Sequence, residues 1–174
     1  EGVDHIIGGH ILPSLSPEKI GIRHGPMAAA VEQIKICLKG PGGHTSRPVE
    51  SVDLIWAQSH LIISLEESIR HHLNEWERVV LAFGKVEGGH TCNVLPDEIY
   101  MEGTLRFLND NLKDKLHRII EHTIHSVEEL TDAKIEWSIP HSSPGLTNDP
   151  DCTELIISAG KTALGEENVQ IMEE

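Results

Sequence analysis

The sequence has few cysteines, few basic residues and no long apolar run, and each scarcity excludes a class of protein. The three cysteines, Cys37, Cys92 and Cys152, are odd in number and widely spaced, which favours reduced thiols in a cytosolic protein over a disulfide framework. No Cys-x-x-Cys pair is present, so no zinc ribbon is indicated. No segment approaches the roughly 18 apolar residues that a membrane span requires, and no basic amphipathic stretch indicates a membrane surface. We therefore expect a cytoplasmic protein.

Acidic residues outnumber basic ones by 28 to 14, which gives a formal net charge of −14. A nucleic-acid-binding face needs clustered Lys and Arg, so we expect no nucleic-acid partner. Two catalytic signatures are also missing. There is no Gly-x-Ser-x-Gly motif, and the glycine-rich loop at residues 40–44 lacks the Lys-Ser/Thr pair of a phosphate-binding loop.

The central part of the chain carries apolar patterns in the order strand, helix, strand, strand, helix, strand. Strands are predicted near residues 31–39, 78–86, 98–107 and 133–139, and helices near 52–72 and 112–130. Ser51 or Glu50 is expected to cap the first helix, and Asn109 or Asp110 the second. This order is the split βαβ pattern of a ferredoxin-like α+β fold, an antiparallel sheet with two helices on one face.

The two flanks read as pieces of a second domain. The apolar runs Val3–Ile7 and Ile20–Ile22 indicate strands or connections, and residues 141–149 indicate a polar connection. Asp149 is expected to cap a last helix that has Pro150 at its first position and Gly165 just past its end. We therefore divide the chain into residues 1–28, 29–140 and 141–174.

Three polar side chains stand out because they lie beside glycines or on loops that follow strands: His10, His44 and Asn93. An imidazole and an amide could donate hydrogen bonds to a carbonyl oxygen that develops negative charge. The plain alternative is a solvent-exposed loop histidine. The other histidines fit helix surfaces and ends, and the His122–His125 pair lacks the glutamate of a helical zinc-hydrolase motif.

Short motifs that follow one another over nearly the whole chain carry a family resemblance. They are Gly9-His10-x-x-Pro13, Ile20-Gly21-Ile22-Arg23-x-Gly25-Pro26-Met27-Ala28-Ala29, Lys39-Gly40-x-Gly42-Gly43-His44, Val86-x-Gly88-Gly89, Asn93-Val94-Leu95-Pro96-Asp97-Glu98 and Gly103-Thr104-Leu105-Arg106. Together they resemble the two-metal amidohydrolases related to aminoacylase, the branch that includes hippurate hydrolase and the hydrolases of indole-acetyl-amino-acid conjugates.

The resemblance implies a catalytic domain with two metal ions, interrupted by a smaller dimerisation or lid domain of split βαβ build. That inserted domain would be residues 29–140, and the flanks 1–28 and 141–174 would belong to the catalytic domain. The parent is then expected to be a metal-dependent amidohydrolase or peptidase that acts on N-acyl amino acids, peptides or related amides. It is expected to be a homodimer, paired through the sheet and helix of the lid domain.

The resemblance also implies roles for four residues. His10 matches a metal-ligand histidine. His44 matches a lid-domain histidine that reaches the partner's active site and hydrogen-bonds the scissile carbonyl oxygen. Asn93 matches an amide that also reaches the substrate, and Arg106 matches an arginine near the substrate's carboxylate.

Other parts of the family pattern are missing from these 174 residues. They are the Asp-x-His or Cys-x-His segment, the Glu-Glu pair of base and ligand, and a last histidine. Amide hydrolysis at neutral pH needs a metal-activated water and a carboxylate base, and one histidine cannot hold a zinc, manganese, nickel or cobalt ion. We therefore expect two divalent ions in the parent, no stably bound metal here, and no activity from this chain alone.

Two other hypotheses stay open. The chain could be a free-standing ferredoxin-like module for oligomerisation or small-ligand binding, in which case both flanks would cover its own sheet. The chain could also bind metal through its histidines, which titration with Zn²⁺ or Mn²⁺ would reveal.

Overall fold

The computed structural model describes residues 2–172, which divide into two compact units. One unit is formed by residues 29–145, and the other by the described parts of 1–28 and 146–174. No helix among the described residues is both long and apolar enough to cross a membrane.

The elements follow one another in a mixed α/β order. The strands are β1 Ile20–Ile22, β2 Gly25–Ala28, β3 Ala30–Lys39, β4 Gly43–His44, β5 Val79–Gly88, β6 Val94–Leu95, β7 Glu98–Phe107, β8 Lys134–Ser143, β9 Leu146–Asn148 and β10 Val169–Ile171; the helices are α1 Leu54–His72, α2 Lys113–Thr131 and α3 Pro150–Leu164.

The larger unit is built on a four-stranded antiparallel sheet in the order β5-β7-β3-β8. The central pair is unbroken, since β3 and β7 pair at every residue from Ala30 opposite Phe107 to Lys39 opposite Glu98. Alternate residues of both strands are buried, because successive side chains of a strand point to opposite faces. The buried face forms one core with α1 and α2. The predicted antiparallel sheet with two helices is confirmed at this level.

Helix α1 buries one stripe of side chains at helical spacing: Leu54, Ala57, Leu61, Leu65 and Ile69. The sequence prediction of its cap was wrong. The side chain of Asp53, rather than Glu50 or Ser51, accepts a hydrogen bond from the backbone N–H of Trp56 at 3.0 Å. Residues 48–50 form a separate short 3₁₀ turn, so the chain reaches helical geometry only after Asp53.

Helix α2 follows a 3₁₀ turn at Asp110–Leu112, where the Asn109 side chain accepts a hydrogen bond from the backbone N–H of Asn111 at 3.0 Å. The helix ends at Asp132, whose φ of 58° is left-handed and whose N–H donates to Glu128 O at 2.9 Å. This is the αL type of helix termination.

The fourth strand is longer than the sequence predicts. Strand β8 continues to Ser143, and β9 follows at Leu146–Asn148, where a polar connection was expected. The extension passes Pro140 at a register shift opposite Ile34. A proline is tolerated in a sheet at such an irregularity because its missing N–H breaks no ladder hydrogen bond there.

One carboxylate lies inside this unit. Glu32 is 0% exposed on β3 and contacts three groups: His117 Nε2 at 2.6 Å, Lys113 Nζ at 2.8 Å and the Ser142 hydroxyl at 2.9 Å. Burial raises the pKa of the Glu32 carboxyl, but these contacts outweigh burial and hold the pKa below its usual 4.5. The cluster ties β3 to α2 and to the extended end of β8.

The smaller unit contains two short sheets and one helix. Strand β1 pairs with β10 in parallel, and β2 pairs with β9 antiparallel. Helix α3 begins as predicted, with the Asp149 side chain accepting from the Cys152 N–H at 2.9 Å, and it ends at Gly165. A side chain at Gly160 would collide with Ile20 of β1, so the helix lies close against this parallel pair.

Residues 2–19 contain no helix or strand. Of the two alternatives expected for Val3–Ile7, a strand or a connection, the structure shows a connection, while Ile20–Ile22 is confirmed as strand β1. The side chains of Val3, Ile6 and Ile7 are 61–87% exposed. Within the described chain no segment pairs with them, and a strand needs a hydrogen-bonding neighbour.

We expect Glu32→Gln to lower the free energy of unfolding by about 2 kcal/mol, because an amide cannot accept from all three donors and leaves buried polar groups poorly satisfied. Urea denaturation should show a lower midpoint at unchanged slope. The matched control is Glu67→Gln on the exposed side of α1, for which we expect a change within about 0.5 kcal/mol. Equal effects of the two variants would contradict the role of the cluster.

The same carboxylate should make stability depend on pH. Because the pKa of Glu32 is lowered in the folded chain, its contribution is complete above about pH 4.5 and is lost as pH falls through the folded value. We expect the difference in unfolding free energy between the wild type and Glu32→Gln to be largest near pH 6 and to shrink towards pH 3. Urea titrations at several pH values measure this difference. A difference that is constant over this range would contradict the prediction.

Candidate functional site

The two glycine-rich loops of the larger unit meet beside the end of the central strand pair. In the two-residue ladder between β4 and β6, Gly43 pairs with Leu95 and His44 with Val94. The backbone N–H of Thr45 also donates to Asn93 O at 3.1 Å. The expectation that His44 and Asn93 lie at the same end of the sheet is therefore confirmed.

Glycine is required at one point of this junction. A Cβ at Gly42 would lie 2.7 Å from the carbonyl oxygen of Leu95 and 3.1 Å from the N–H nitrogen of Asp97. Both of these are backbone atoms, which cannot move aside as a flexible side chain would. The first loop therefore approaches the second closely because residue 42 has no side chain.

The side chain of His44 is exposed, and one edge of its ring is held by Ser46. The Nδ1 atom lies 3.2 Å from the backbone nitrogen of Ser46 and 2.9 Å from the Ser46 hydroxyl oxygen. Sequence reasoning missed Ser46. Its position two residues after His44 in a turn was the available signal, since serine commonly bonds to groups two residues away.

The side chain of Asn93 is exposed on the second loop. Its carbonyl oxygen accepts a hydrogen bond from the Thr91 hydroxyl at 3.1 Å. That contact orients the carboxamide, and its NH₂ group bonds to no other residue among 2–172. The two hydrogen-bonded loops therefore each present one exposed polar side chain, an imidazole and a carboxamide, within two paired residues of each other.

Arg106 does not lie near these two residues. It stands on β7 opposite Val31 of β3 and Val80 of β5, exposed on the face of the sheet away from the helices. The loops leave the sheet at the other end of β7, near Glu98. Eight residues at about 3.4 Å each put Arg106 roughly 27 Å from that end along the strand.

His10 lies in the smaller unit, on the segment without regular structure, and its side chain is exposed. Its Nδ1 lies 2.7 Å from the carbonyl oxygen of Ile11, a contact that requires Nδ1 to carry the proton and leaves Nε2 as the metal-binding atom. No group of three His, Cys, Asp or Glu side chains among residues 2–172 could hold a metal ion. His10 is therefore not part of such a group within the described residues.

His117 has a structural role, and the thiols of Cys37 and Cys152 are not activated. His117 is bound to Glu32, and its ring packs edge-on against Trp137 at 5.8 Å. The three cysteines are free. Burial raises the pKa of the Cys37 and Cys152 thiols, which disfavours the thiolate that a nucleophilic cysteine needs.

Comparison with known proteins gives a match over the region that contains the two glycine-rich loops. The family model described as the peptidase dimerisation domain covers residues 31–130. The chain is 31% identical over 167 residues to an N-acetyl-L-cysteine deacetylase of Bacillus subtilis, covering 94% of this chain and 39% of that enzyme. It is 31% identical over 137 residues to an N-acyl-L-amino acid amidohydrolase of Geobacillus stearothermophilus, covering 79% of this chain and 37% of that enzyme.

A solved structure has the same fold. The Bacillus subtilis protein YXEP, described as a dinuclear metal-binding peptidase, superposes with a TM-score of 0.70 at 23% identity, covering 95% of this chain and 40% of that one. The chain thus spans about two fifths of the length of these relatives. The family model covers more than half of the chain, and the chain belongs to the peptidase dimerisation domain family.

Proposed function

We propose that this chain is the dimerisation or lid region of a metal-dependent amidohydrolase that hydrolyses N-acyl amino acids or related amides. The β4–β6 ladder carries this proposal, because it joins the loop of His44 to the loop of Asn93 at one end of the sheet, where both side chains are exposed. Two donors at one place can stabilise negative charge on a substrate carbonyl oxygen. His44 is the proposed catalytic residue, and Asn93 binds the substrate with it.

The proposed division into domains resembles the two compact units, although the larger compact unit extends to residue 145. We assign the sheet and helices from residue 29 to about residue 140 to a ferredoxin-like dimerisation domain, supported by the strand order β5-β7-β3-β8 with α1 and α2 on one face. The flanks 1–28 and 141–174 are assigned to a catalytic domain of α/β type. The parallel pairing of β1 with β10 beneath α3 supports that assignment, since parallel strands with a covering helix are typical of α/β layers.

A free-standing module is the weaker alternative. It expects the flanks to cover the sheet of the larger unit, whereas β1, β2, β9, β10 and α3 pair and pack with one another. The helix-free face of the sheet is also polar. At its centre Glu102 accepts hydrogen bonds from Tyr100 at 2.8 Å and from Gln33 at 3.2 Å. Such a face needs no apolar cover.

The proposed substrate class is inferred from the enzymes to which this chain is similar. Two relatives that match over most of this chain are named for N-acetyl-L-cysteine and N-acyl-L-amino acids. We propose small N-acyl amino acids or peptides for the parent of this chain, with Arg106 at the substrate's carboxylate. Arginine suits this role because its guanidinium matches a carboxylate with two parallel hydrogen bonds.

The metal ions belong to the parent rather than to this chain. We propose that the intact protein holds two divalent ions, from among zinc, manganese, nickel and cobalt, and that His10 supplies one ligand through Nε2. The contact of Nδ1 with Ile11 O supports that orientation. The other ligands and the base must come from residues outside this sequence.

We propose a cytoplasmic location, which agrees with three free cysteines.

The partner is a second copy, and the edge strand β5 with helix α1 is the proposed contact surface. Exposed apolar side chains gather on these two elements: Ile55, Trp56, Ile63, Val80 and Val86. The opposite edge, β8, carries Lys134, Glu136 and Pro140, which are residues that discourage strand pairing at an edge. An unpaired β5 could extend the sheet across a two-fold axis.

A second copy would also explain where Arg106 lies. Arg106 lies roughly 27 Å along β7 from the end at which the loops of His44 and Asn93 leave the sheet, which is too far for a small N-acyl amino acid to reach both. We propose that one substrate meets Arg106 of one subunit and His44 of the other. Each chain then serves two active sites.

We expect Trp56→Ala to weaken self-association of the 174-residue chain. Removing a buried aromatic anchor from an interface costs about 2 kcal/mol or more, or roughly a 30-fold rise in the dimer dissociation constant. Sedimentation velocity over a range of concentrations measures it. Leu130→Ala, which truncates an exposed apolar side chain of α2, is the control and should leave the constant unchanged. A wild-type chain that stays monomeric at all concentrations would contradict the proposed surface.

In the full-length hydrolase that we propose contains this chain, we expect His44→Ala to lower kcat by about 10²–10³-fold on N-acetyl amino acids, as for other donors to a developing oxyanion. His71→Ala, an exposed histidine at the end of α1, is the control and should stay near wild type. Steady-state kinetics with a colorimetric assay for the released amine measure both variants.

Mixing two inactive variants tests the sharing of sites between subunits. A hybrid of His44→Ala with Arg106→Ala has one site with both groups intact and one with neither, so a 1:1 mixture should recover about a quarter of wild-type activity. If His44 and Arg106 acted within one chain, every site of the hybrid would lack one group. No recovery would then be seen, and the proposal would fail.

A further inference from the structure

The turn after His44 fixes the chemical state of its ring. The backbone N–H of Ser46 points at Nδ1 of His44, with 3.2 Å between the two nitrogens. A backbone amide can only donate a hydrogen bond, so Nδ1 must accept it. An acceptor nitrogen carries no proton, and in a neutral imidazole the proton is then on Nε2.

The Ser46 hydroxyl reinforces this assignment. Its oxygen lies 2.9 Å from the same Nδ1 atom. Taken alone, a hydroxyl contact leaves the tautomer open, because a hydroxyl can donate or accept. The backbone N–H of Ser46 already donates to Nδ1, so a proton on Nδ1 would clash with the proton of that N–H. Nδ1 therefore carries no proton, and the Ser46 hydroxyl can only donate to it. Both groups of one residue therefore select the same tautomer.

The backbone around the turn is held in place. His44 is paired with Val94 in the β4–β6 ladder, and the N–H of Arg47 donates to His44 O at 2.8 Å, which closes the turn across Ser46. Thr45 is anchored by its N–H to Asn93 O at 3.1 Å. The Ser46 amide is thus presented to the ring by a fixed loop rather than by a chance side-chain contact.

We infer that Ser46 is a positioning residue that holds His44 as the Nε2–H tautomer, with Nε2 as the donor offered to the substrate. This inference rests on the proposed role of His44 and adds the reason why its ring can donate while neutral. Among residues 2–172, Nε2 of His44 has no hydrogen-bond partner. The other tautomer would present a lone pair on Nε2, which repels a carbonyl oxygen that gains negative charge.

The test is the tautomer itself, read by two-bond ¹H–¹⁵N correlation spectra of the ¹⁵N-histidine-labelled 174-residue chain. Spectra are recorded about two pH units above the usual histidine pKa of about 6.5, and a His44→Gln variant assigns the signals. We expect a pyridine-type Nδ1 and a pyrrole-type Nε2 for His44, as a single tautomer. His90, an exposed histidine on the second loop, is the internal reference and should show a mixture. A pyrrole-type Nδ1, or the same mixture in His44 as in His90, would overturn the inference.

Variants at position 46 separate its two donors. Ser46→Thr keeps both and should retain the single tautomer. Ser46→Ala keeps the amide and should show a small shift towards the mixture, and Ser46→Pro removes both donors and should reach the mixture. Ser51→Ala is the matched control, because the Ser51 hydroxyl is buried in the same loop with no partner among the described residues. If Ser46→Pro does not fold, the wild-type and Ser46→Ala spectra still decide the question.

Kinetics of the full-length hydrolase provide a second, independent test of the role of Ser46. We expect Ser46→Ala to lower kcat by less than about twofold at an unchanged KM, because the remaining amide keeps most of the ring in the Nε2–H form, and we expect Ser46→Thr to restore it. A lower kcat with an unchanged tautomer in Ser46→Ala would count against positioning through the ring. Should His44→Ala leave hydrolysis intact while the spectra show the single tautomer, the proposed function fails and the tautomer assignment stands.

Discussion

The ten consecutive residue pairs between β3 and β7 are the constraint on which this structure depends. An antiparallel ladder without a break fixes the register and the face of the sheet to which each side chain points. A slip of one residue would turn every side chain to the other face. It buries Ile34, Ile36 and Leu38 on the helix side. It also sets where the chain leaves the sheet, because Lys39 and Glu98 form its last pair. Both glycine-rich loops join the sheet there, so the ladder decides that the loop of His44 meets the loop of Asn93.

The core tolerates one charge because that charge is fully paired. A buried carboxylate without partners would be strongly destabilising, but Glu32 is shared among Lys113, His117 and Ser142. These partners come from α2 and β8, which are far from β3 in sequence. The cluster therefore adds specificity to an otherwise apolar interface, because only one placement of α2 and β8 satisfies it.

Periodic segments could be predicted from the sequence, and β7 was found with its bounds at Glu98 and Phe107. Features that depend on contacts with residues far away in the sequence could not be predicted. The continuation of β8 to Ser143 requires pairing with Val31–Gln33 beyond a register shift, and no local pattern signals that. The capping by Asp53 depends on where the loop before α1 ends. Residues 2–12 have a strand-like composition but no neighbour to pair with among the described residues.

The candidate site also has features that the sequence predicts and features that it does not. The loops that carry His44 and Asn93 could be placed from glycine content and strand order, since both are local properties. The contact of Ser46 with His44 could not, because it depends on the dihedral angles of one turn. The distance to Arg106 was available in principle, since strand register and a rise of about 3.4 Å per residue give it directly.

The close approach at Gly42 has a mechanical consequence. Leu95 O and the Asp97 nitrogen leave no room for even a methyl group there, so a displacement of one loop must push the other. The backbones that carry His44 and Asn93 are therefore coupled, and a motion that brings both loops to a ligand has to bend the chain elsewhere than between them.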